Sequence, residues 1–317
     1  MPTEIKIILL VFAVLAVVVL GATYYCYRRL YYSPKRVPLK ADEYEIPDGK
    51  EYQSIKEEII AWVKWKRALP QEDIEIKSHD GLTLRGKYFE HKQGAPVEIL
   101  FHGYRGNAER DVSGGIERCF KVGHNALLVD HRASGASDGH TITFGIKERL
   151  DCLKWIDYVI NRFGENVQIV IGGVSMGAAT VMMATAENLP KNVKYVIADC
   201  GYTSPKEIIC RTMRQMGYPD KLFYPLAKFG ALIFGRFNVD ETSPLQAVQN
   251  AKIPVIFLHG TGDEIVPHEM SERLYEQCKT QKALVLIPNA EHGLAYPRDI
   301  DGYVAAVKDF EKDFIEN

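Results

Sequence analysis

Six short apolar runs recur from Pro96 onward, at residues 97–101, 126–129, 167–171, 193–198, 255–258 and 284–287, with helical stretches between them. Each run is too short for a membrane span and has no polar face, the mark of a strand covered on both sides in a parallel sheet. The intervening helices are expected at residues 108–121, 144–162, 176–187 and 267–278, with a closing helix at 298–315. Upstream, residues 72–77 and 82–89 alternate polar and apolar around His79-Asp80-Gly81, which reads as an antiparallel hairpin on an Asp-Gly turn. Residues 51–69 have helical apolar spacing closed by Pro70. A hairpin followed by βα units predicts an α/β fold: a mostly parallel eight-stranded sheet, antiparallel at its N-terminal edge, with helices on both faces.

A second constraint lies at the amino end. Residues 7–25 carry no charge, and about 19 residues at ~1.5 Å each reach ~28 Å, the thickness of a bilayer's hydrocarbon core. Tyr24, Tyr25, Tyr27, Tyr31 and Tyr32 follow as rings suited to the membrane boundary, then Arg28, Arg29, Lys35 and Arg36 as its polar side. A cleaved signal peptide is the alternative, but Lys6 stands against Glu4 in its amino end and no small-x-small site precedes the tyrosines. The excess of Arg28, Arg29, Lys35, Arg36 and Lys40 over Lys6 favours a cytoplasmic catalytic domain over an extracytoplasmic one. The chain thus divides into a transmembrane anchor and juxtamembrane segment at 1–32, a linker at 33–50 with Pro34, Pro38 and Pro47, and one folded domain at 51–317. With 39 basic and 41 acidic residues the net charge is −2, so no field favours nucleic acid as a partner. Cys26, Cys119, Cys152, Cys200, Cys210 and Cys278 are widely spaced and read as free thiols, without a metal-ligand pattern.

The chemistry is concentrated in three places. Gly173-Val174-Ser175-Met176-Gly177 matches G-x-S-x-G where a buried strand meets a helix. A serine on so sharp a turn needs small residues two positions away on each side, and the helix start behind it favours developing negative charge. Asp263 stands in the small-residue turn Thr261-Gly262-Asp263 after a later strand, where it would orient an imidazole. Its neighbour Glu264 reads as an ordinary solvated carboxylate. His292, in Ala290-Glu291-His292-Gly293 after the last strand, completes the chain order Ser, Asp, His and is the expected general base. His259 and His268 flank the acid turn and read as loop architecture, as does His102 beside Gly103.

From about Glu72 onward the chain resembles the α/β-hydrolase superfamily, in its serine-aminopeptidase-like and acyl-hydrolase branch. Besides the three motifs above, Asp130-His131-Arg132-Ala133-Ser134-Gly135-Ala136-Ser137-Asp138-Gly139 resembles the D-x-R-G-x-G-x-S-x-G loop after the fourth strand, and Ser243-Pro244 precedes the acid's strand. Ala133 departs from the pattern's glycine, which puts the local loop shape in question. The resemblance implies an oxyanion hole made by the backbone N–H groups of Tyr104 and Met176. It also implies a cap inserted at about residues 203–252, with Met213, Met216, Phe223 and Phe234 as candidate pocket residues. Arg105 and Arg132 read as loop or surface arginines rather than anion holders.

The reading that follows is a serine hydrolase cleaving carboxylic esters or thioesters with an apolar acyl or aromatic group through an acyl-enzyme. A peptidase, amidase or acyltransferase on the same residues is the alternative, and a non-catalytic membrane-tethered binding protein stands third. No H-E-x-x-H, P-loop or dinucleotide fingerprint is present, so no metal or cofactor is expected. The expected partners are a small-molecule substrate and, through the N-terminal helix, a membrane.

Overall fold

The computed structural model describes residues 2–35 and 40–315. Arg36 and Pro38, used above for the charge count and the linker, lie outside them.

The N-terminal apolar run forms one unbroken helix, α1 (Thr3–Leu30), followed by α2 (Lys50–Gln53) and α3 (Lys56–Ala68). The expected helix at 51–69 is broken at Ser54–Ile55, where Ile55 leaves helical geometry before α3 starts. The strand β1 (Glu72–Lys77) pairs antiparallel with β2 (Thr83–Phe89) across a turn in which Gly81 has φ +93°. Then come β3 (Val97–Phe101), α4 (Ala108–Val122), β4 (Asn125–Val129), α5 (Glu148–Phe163), β5 (Ile169–Val174), α6 (Met176–Ala184) and β6 (Val193–Asp199). The cap follows as α7 (Pro205–Gln215), α8 (Asp220–Ile233) and α9 (Pro244–Val248). The chain closes with β7 (Val255–Gly260), α10 (Glu269–Gln277), β8 (Lys282–Ile287), α11 (Ala295–Arg298) and α12 (Ile300–Glu311).

The eight strands form one sheet in the order β1-β2-β4-β3-β5-β6-β7-β8, with β1 and β2 antiparallel to their neighbours and the rest parallel. Every residue of β3, β4 and β7 is buried, Glu98, Asn125 and His259 included, as strands covered on both faces must be. Helix starts follow from side-chain caps: Asn107 caps α4, Ser204 caps α7 ahead of Pro205, and Ser243 caps α9 ahead of Pro244. The Ser243-Pro244 pair of the sequence pattern is thus a helix start.

Two boundaries move for local reasons. Phe144 and Gly145 have φ of +54° and +91°, and the Glu148 carboxylate accepts from the N–H groups of Thr143 and Gly145, so α5 begins at Glu148 rather than 144. Asp299 adopts a non-helical conformation and accepts from the N–H of Gly302, splitting the closing helix into α11 and α12.

The amino-terminal tyrosines differ more deeply from expectation. Tyr27 and Tyr31 are buried in an apolar cluster with Phe144, Tyr224 and Phe237, while Tyr24 and Tyr25 stay exposed. The cause is that α1 lies against α8. A Cβ on Gly230 would stand 2.8 Å from the Thr23 carbonyl oxygen, so only glycine permits the approach. Tyr32 then bridges to Thr141, and the Ser33 N–H donates to His140 O. The body of the fold begins near Thr23, not at Glu51. All six cysteines are unpaired, and all but Cys210 are buried.

Candidate active site

The carboxyl ends of β3, β5, β6 and β7, together with the loop after β8, converge on one cavity of about 780 Å³. Ser175 sits between β5 and α6 with φ +56° and ψ −114°, a conformation strained for a non-glycine residue. The flanking glycines make it reachable: a Cβ on Gly173 would strike the Gly177 carbonyl, and one on Gly177 would strike Phe101 O. The half-buried serine lines the cavity, and behind it α6 presents its amino end.

His292 lies 2.9 Å from the Ser175 hydroxyl through Nε2 and 2.6 Å from Asp263 Oδ2 through Nδ1. A carboxylate only accepts, so Nδ1 carries the proton and Nε2 is left to accept from Ser175. Asp263 is buried, and its Oδ1 accepts from the N–H groups of Ile265 and Val266 at 2.9 and 2.8 Å. Burial pushes its pKa up, but hydrogen bonds from His259 and His292 outweigh this and hold it at about 2. The site therefore keeps an anion beneath the imidazole. Tyr52, from α2, donates to His292 O at 2.9 Å and braces the same loop.

His259 is the residue that sequence reasoning underrated. It is fully buried, its Nε2 shared between Asp263 Oδ2 at 3.2 Å and Val266 O at 2.8 Å, its Nδ1 2.6 Å from the Ser271 hydroxyl. Both Nε2 partners are acceptors, so Nε2 donates and Nδ1 accepts from Ser271. It is a second imidazole orienting the acid, four residues ahead of it on β7. The spacing His259–Asp263 was the available signal.

His102 shapes the loop after β3. It accepts the His131 N–H at Nε2, at 3.0 Å, and lies 2.8 Å from Gly103 O through Nδ1. Two residues on, Tyr104 has its ring stacked on Phe144 at 4.9 Å, and its hydroxyl donates to Leu30 O at 2.6 Å while accepting from Arg105 Nε at 2.8 Å. Arg105 Nη2 donates to Arg29 O and Tyr32 O at 2.8 and 3.1 Å. So the loop carrying the Tyr104 N–H is fastened to the carbonyl end of α1, whose last carbonyls lack helical partners. Arg105 is a helix cap. Arg132 is not at the surface: it is buried, with two 2.6 Å bonds to Asp151 and a 2.9 Å bond to Asp80. Met176 opens α6, and its N–H belongs to the first-turn donors without an intrahelical acceptor.

Met213, Met216 and Phe223 of the cap line the cavity. Phe234 does not. Its ring packs on Tyr24 and Tyr27 of α1, at 5.1 and 5.8 Å, so it belongs to the joint between cap and N-terminal helix. In its place stand residues no cap-based reading could supply, namely Tyr25, Cys26, Arg29 and Leu30 of α1.

Among the described residues, two groups of side chains are close enough to share a metal ion, Cys200/Asp263/His292 and His79/Asp80/Asp151. In the first, Asp263 and His292 already bond each other, and burial with the Asp199 and Asp263 charges pushes the Cys200 thiol pKa well up, against the thiolate a metal needs. In the second, Arg132 neutralises both carboxylates.

The chain is similar to several known proteins. The chain is 28% identical over 236 residues to YqkD of Bacillus subtilis, covering 74% of this chain and 77% of that one. It is 26% identical over 247 residues to bem46 of Schizosaccharomyces pombe, covering 75% and 76%. Among solved structures, the Pyrococcus furiosus esterase Pf2001 superposes with a TM-score of 0.65 at 23% identity, over 90% of this chain and 100% of that one. Est1E of Butyrivibrio proteoclasticus, solved with ferulic acid bound, gives 0.58 at 24%, over 76% and 98%. At those identities the likeness establishes the fold, an α/β-hydrolase fold. Residues 143–317, more than half of the chain, match the prolyl oligopeptidase family. With that match laid over an α/β-hydrolase sheet and the serine turn at its centre, the chain belongs to the prolyl oligopeptidase family of hydrolases.

Proposed function

We propose that the protein is a serine hydrolase that cleaves carboxylic esters or thioesters with an apolar acyl or aromatic group. The observation that carries this reading is the Ser175–His292–Asp263 hydrogen-bond chain opening into a cavity walled by Met213, Met216 and Phe223. Ser175 Oγ attacks the carbonyl carbon as His292 Nε2 takes its proton. Asp263 holds the imidazole and offsets its positive charge. The N–H groups of Tyr104 and Met176 receive the oxyanion, each donor contributing about 3 kcal/mol to the transition state. Collapse breaks the bond to the leaving alcohol or thiol, which takes the proton from His292. Water, deprotonated by the same imidazole, then releases the acid from Ser175.

In this reading α1 is a retained single-pass anchor for the hydrolase domain, with the cap at about 203–252, and the charge asymmetry favours the cytoplasmic side. Support comes from its length, its hydropathy, and the place of Cys26, Tyr27 and Tyr31 in the core. A peptidase on the same residues is the second reading, supported by the family match and by Glu45, Asp48 and Asp111 in the cavity wall. Asp111 is already engaged by Arg110 and the Gly103 N–H, which weighs against a free amine there.

The test is turnover of a p-nitrophenyl ester series, from acetyl to long acyl chains, beside amino-acid p-nitroanilides, by the full chain in detergent. Ester hydrolysis should exceed anilide hydrolysis and fall by roughly 10⁴-fold or more in Ser175→Ala. Preferential anilide turnover would install the peptidase reading, and a folded but inert wild type would overturn both.

A further inference from the structure

The helix α8 carries an apolar stripe facing away from the protein. Leu222, Pro225, Phe229, Leu232 and Ile233 are all exposed, and their spacing of three, four, three and one places them on one helix face. Leu222 is 62% exposed, Phe229 47%, Leu232 45% and Ile233 43%. A row of large apolar side chains left open to water marks an interaction surface.

What covers it follows from the neighbouring helix. Residues 3–21 of α1 are exposed along their whole length and Thr23 is the first buried one. The uncharged run 7–25 sets the span, about 19 residues and ~28 Å, so a bilayer around it ends at the level where α1, from Thr23 on, enters the body of the protein. That is the level at which Gly230 meets Thr23 and Tyr27, and at which Phe234 packs on Tyr24. The carboxyl half of α8, with Phe229, Leu232 and Ile233, therefore lies at the same height as the end of the span. Arg28 and Arg29, both exposed, follow within two turns, at the level of lipid phosphates.

The cavity opens beside this boundary. Tyr25 and Arg29 of α1 line it on one side, and Met216 and Tyr218 of the cap, themselves exposed, on the other. We propose that the α8 stripe seats in the headgroup boundary of the bilayer that α1 crosses, and that the cavity takes a single-chain acyl amphiphile directly from that membrane. The docking part rests on the reading of α1 as a retained anchor together with the geometry of α1 and α8, and the substrate part rests on the ester-hydrolase reading. A volume of about 780 Å³ suits a drug-sized ligand, in the range of about 300–1,000 Å³, and hence one acyl chain with its head. The apolar side chains of Met213, Met216 and Phe223 receive the chain, and Ser175 meets the carbonyl.

Two measurements on the full chain in phosphatidylcholine–phosphatidylglycerol vesicles test this. In Phe229→Trp, brominated lipid should quench the new indole beyond the quenching of Trp62, Trp65 and Trp155 in the parent. In Phe229→Glu with Leu232→Glu, turnover of a long-chain lysolipid ester in the vesicles should drop about tenfold, while turnover of water-soluble p-nitrophenyl acetate stays at the parent's level. Quenching in Phe229→Trp no greater than in the parent overturns the docking, as does a double variant that loses both activities or neither. If the parent is inert on both esters, the ester-hydrolase reading fails with its substrate, while the quenching still decides the docking.

Discussion

Tyr104 does two things from one residue. Its N–H is the proposed oxyanion donor, and its hydroxyl ties the loop to Leu30 and Arg105. Tyr104→Phe keeps the ring on Phe144 and the backbone donor but releases the tie. With ~1 kcal/mol for such a bond, kcat on a soluble ester should fall about fivefold with KM little changed, which steady-state kinetics would show. A rise in KM alone would place the tyrosine in substrate binding instead. Single residues were also where the sequence was most and least legible. That Ser175, Asp263 and His292 come together, as the structure places them, is legible because each sits in a short motif and their order along the chain follows a known pattern. Ala133, where the pattern has glycine, keeps the left-handed backbone the motif demands, at φ +59°, and is buried there. The loop shape survives the substitution at a cost of about 1–2 kcal/mol. Phe234 escapes a local reading because its partner Tyr24 lies across the whole fold, whereas His259 stands only four residues from Asp263 and what hides its role is the turn that folds its ring back onto the carboxylate.

Elements were legible wherever a period ran for several residues, and the eight strands come within about three residues of their expected limits. At Phe144 and Asp299 a positive φ or a side chain stops a helix that apolar spacing alone would continue, and at Ile55 the backbone itself leaves helical geometry at φ −123°. The N-terminal helix is the largest departure, because a hydrophobic run long enough for a bilayer hides the point at which it starts to pack on protein. The consequence is a difference between two truncations. A chain starting at Ala22 keeps Cys26, Tyr27 and Tyr31 and should unfold in detergent at nearly the temperature of the full chain. A chain starting at Ser33 loses the buried Tyr27 and Tyr31 rings and the Leu30 carbonyl, and should be destabilised by several kcal/mol, since emptying one buried aromatic site costs about 3–5 kcal/mol. Equal melting of the two would show that α1 contributes nothing to the body of the fold.

At the scale of the whole molecule, a fully buried carboxylate, Glu98 on β3, ties several elements together. Arg118 of α4 and His124 ahead of β4 both bond it, and His124 reaches on to Glu311 of α12, which also accepts from Tyr195. Burial pushes Glu98 up, but Arg118 and His124 outweigh it and hold its pKa at about 2 against an ordinary 4.5. Burial lowers His124, while bonds to Glu311 and Glu98 more than compensate, so its pKa is raised from 6.5. The signs oppose each other. A depressed carboxyl contributes stability fully present above pH 4.5 and lost as pH falls towards about 2, whereas a raised histidine contributes stability fully present below pH 6.5 and lost above it. The melting temperature of the full chain in detergent should therefore peak between about pH 4.5 and 6.5. Glu98→Gln should flatten the acid limb and cost roughly 3 kcal/mol by stranding Arg118. An unchanged acid limb in that variant would assign the dependence to other carboxylates.

The passage of α1 from its apolar span into the core without a break has a kinetic meaning. A catalytic domain on a flexible tether samples a hemisphere above the membrane and meets substrate from the aqueous phase. Here the helix that would cross the bilayer is the same continuous helix whose carbonyl end holds the Tyr104 loop, so on the proposed reading the cavity mouth would keep one height and one orientation. On the proposed membrane reading, encounter would become a two-dimensional search, and turnover of a membrane substrate would scale with its mole fraction among the lipids rather than its concentration in the surrounding water.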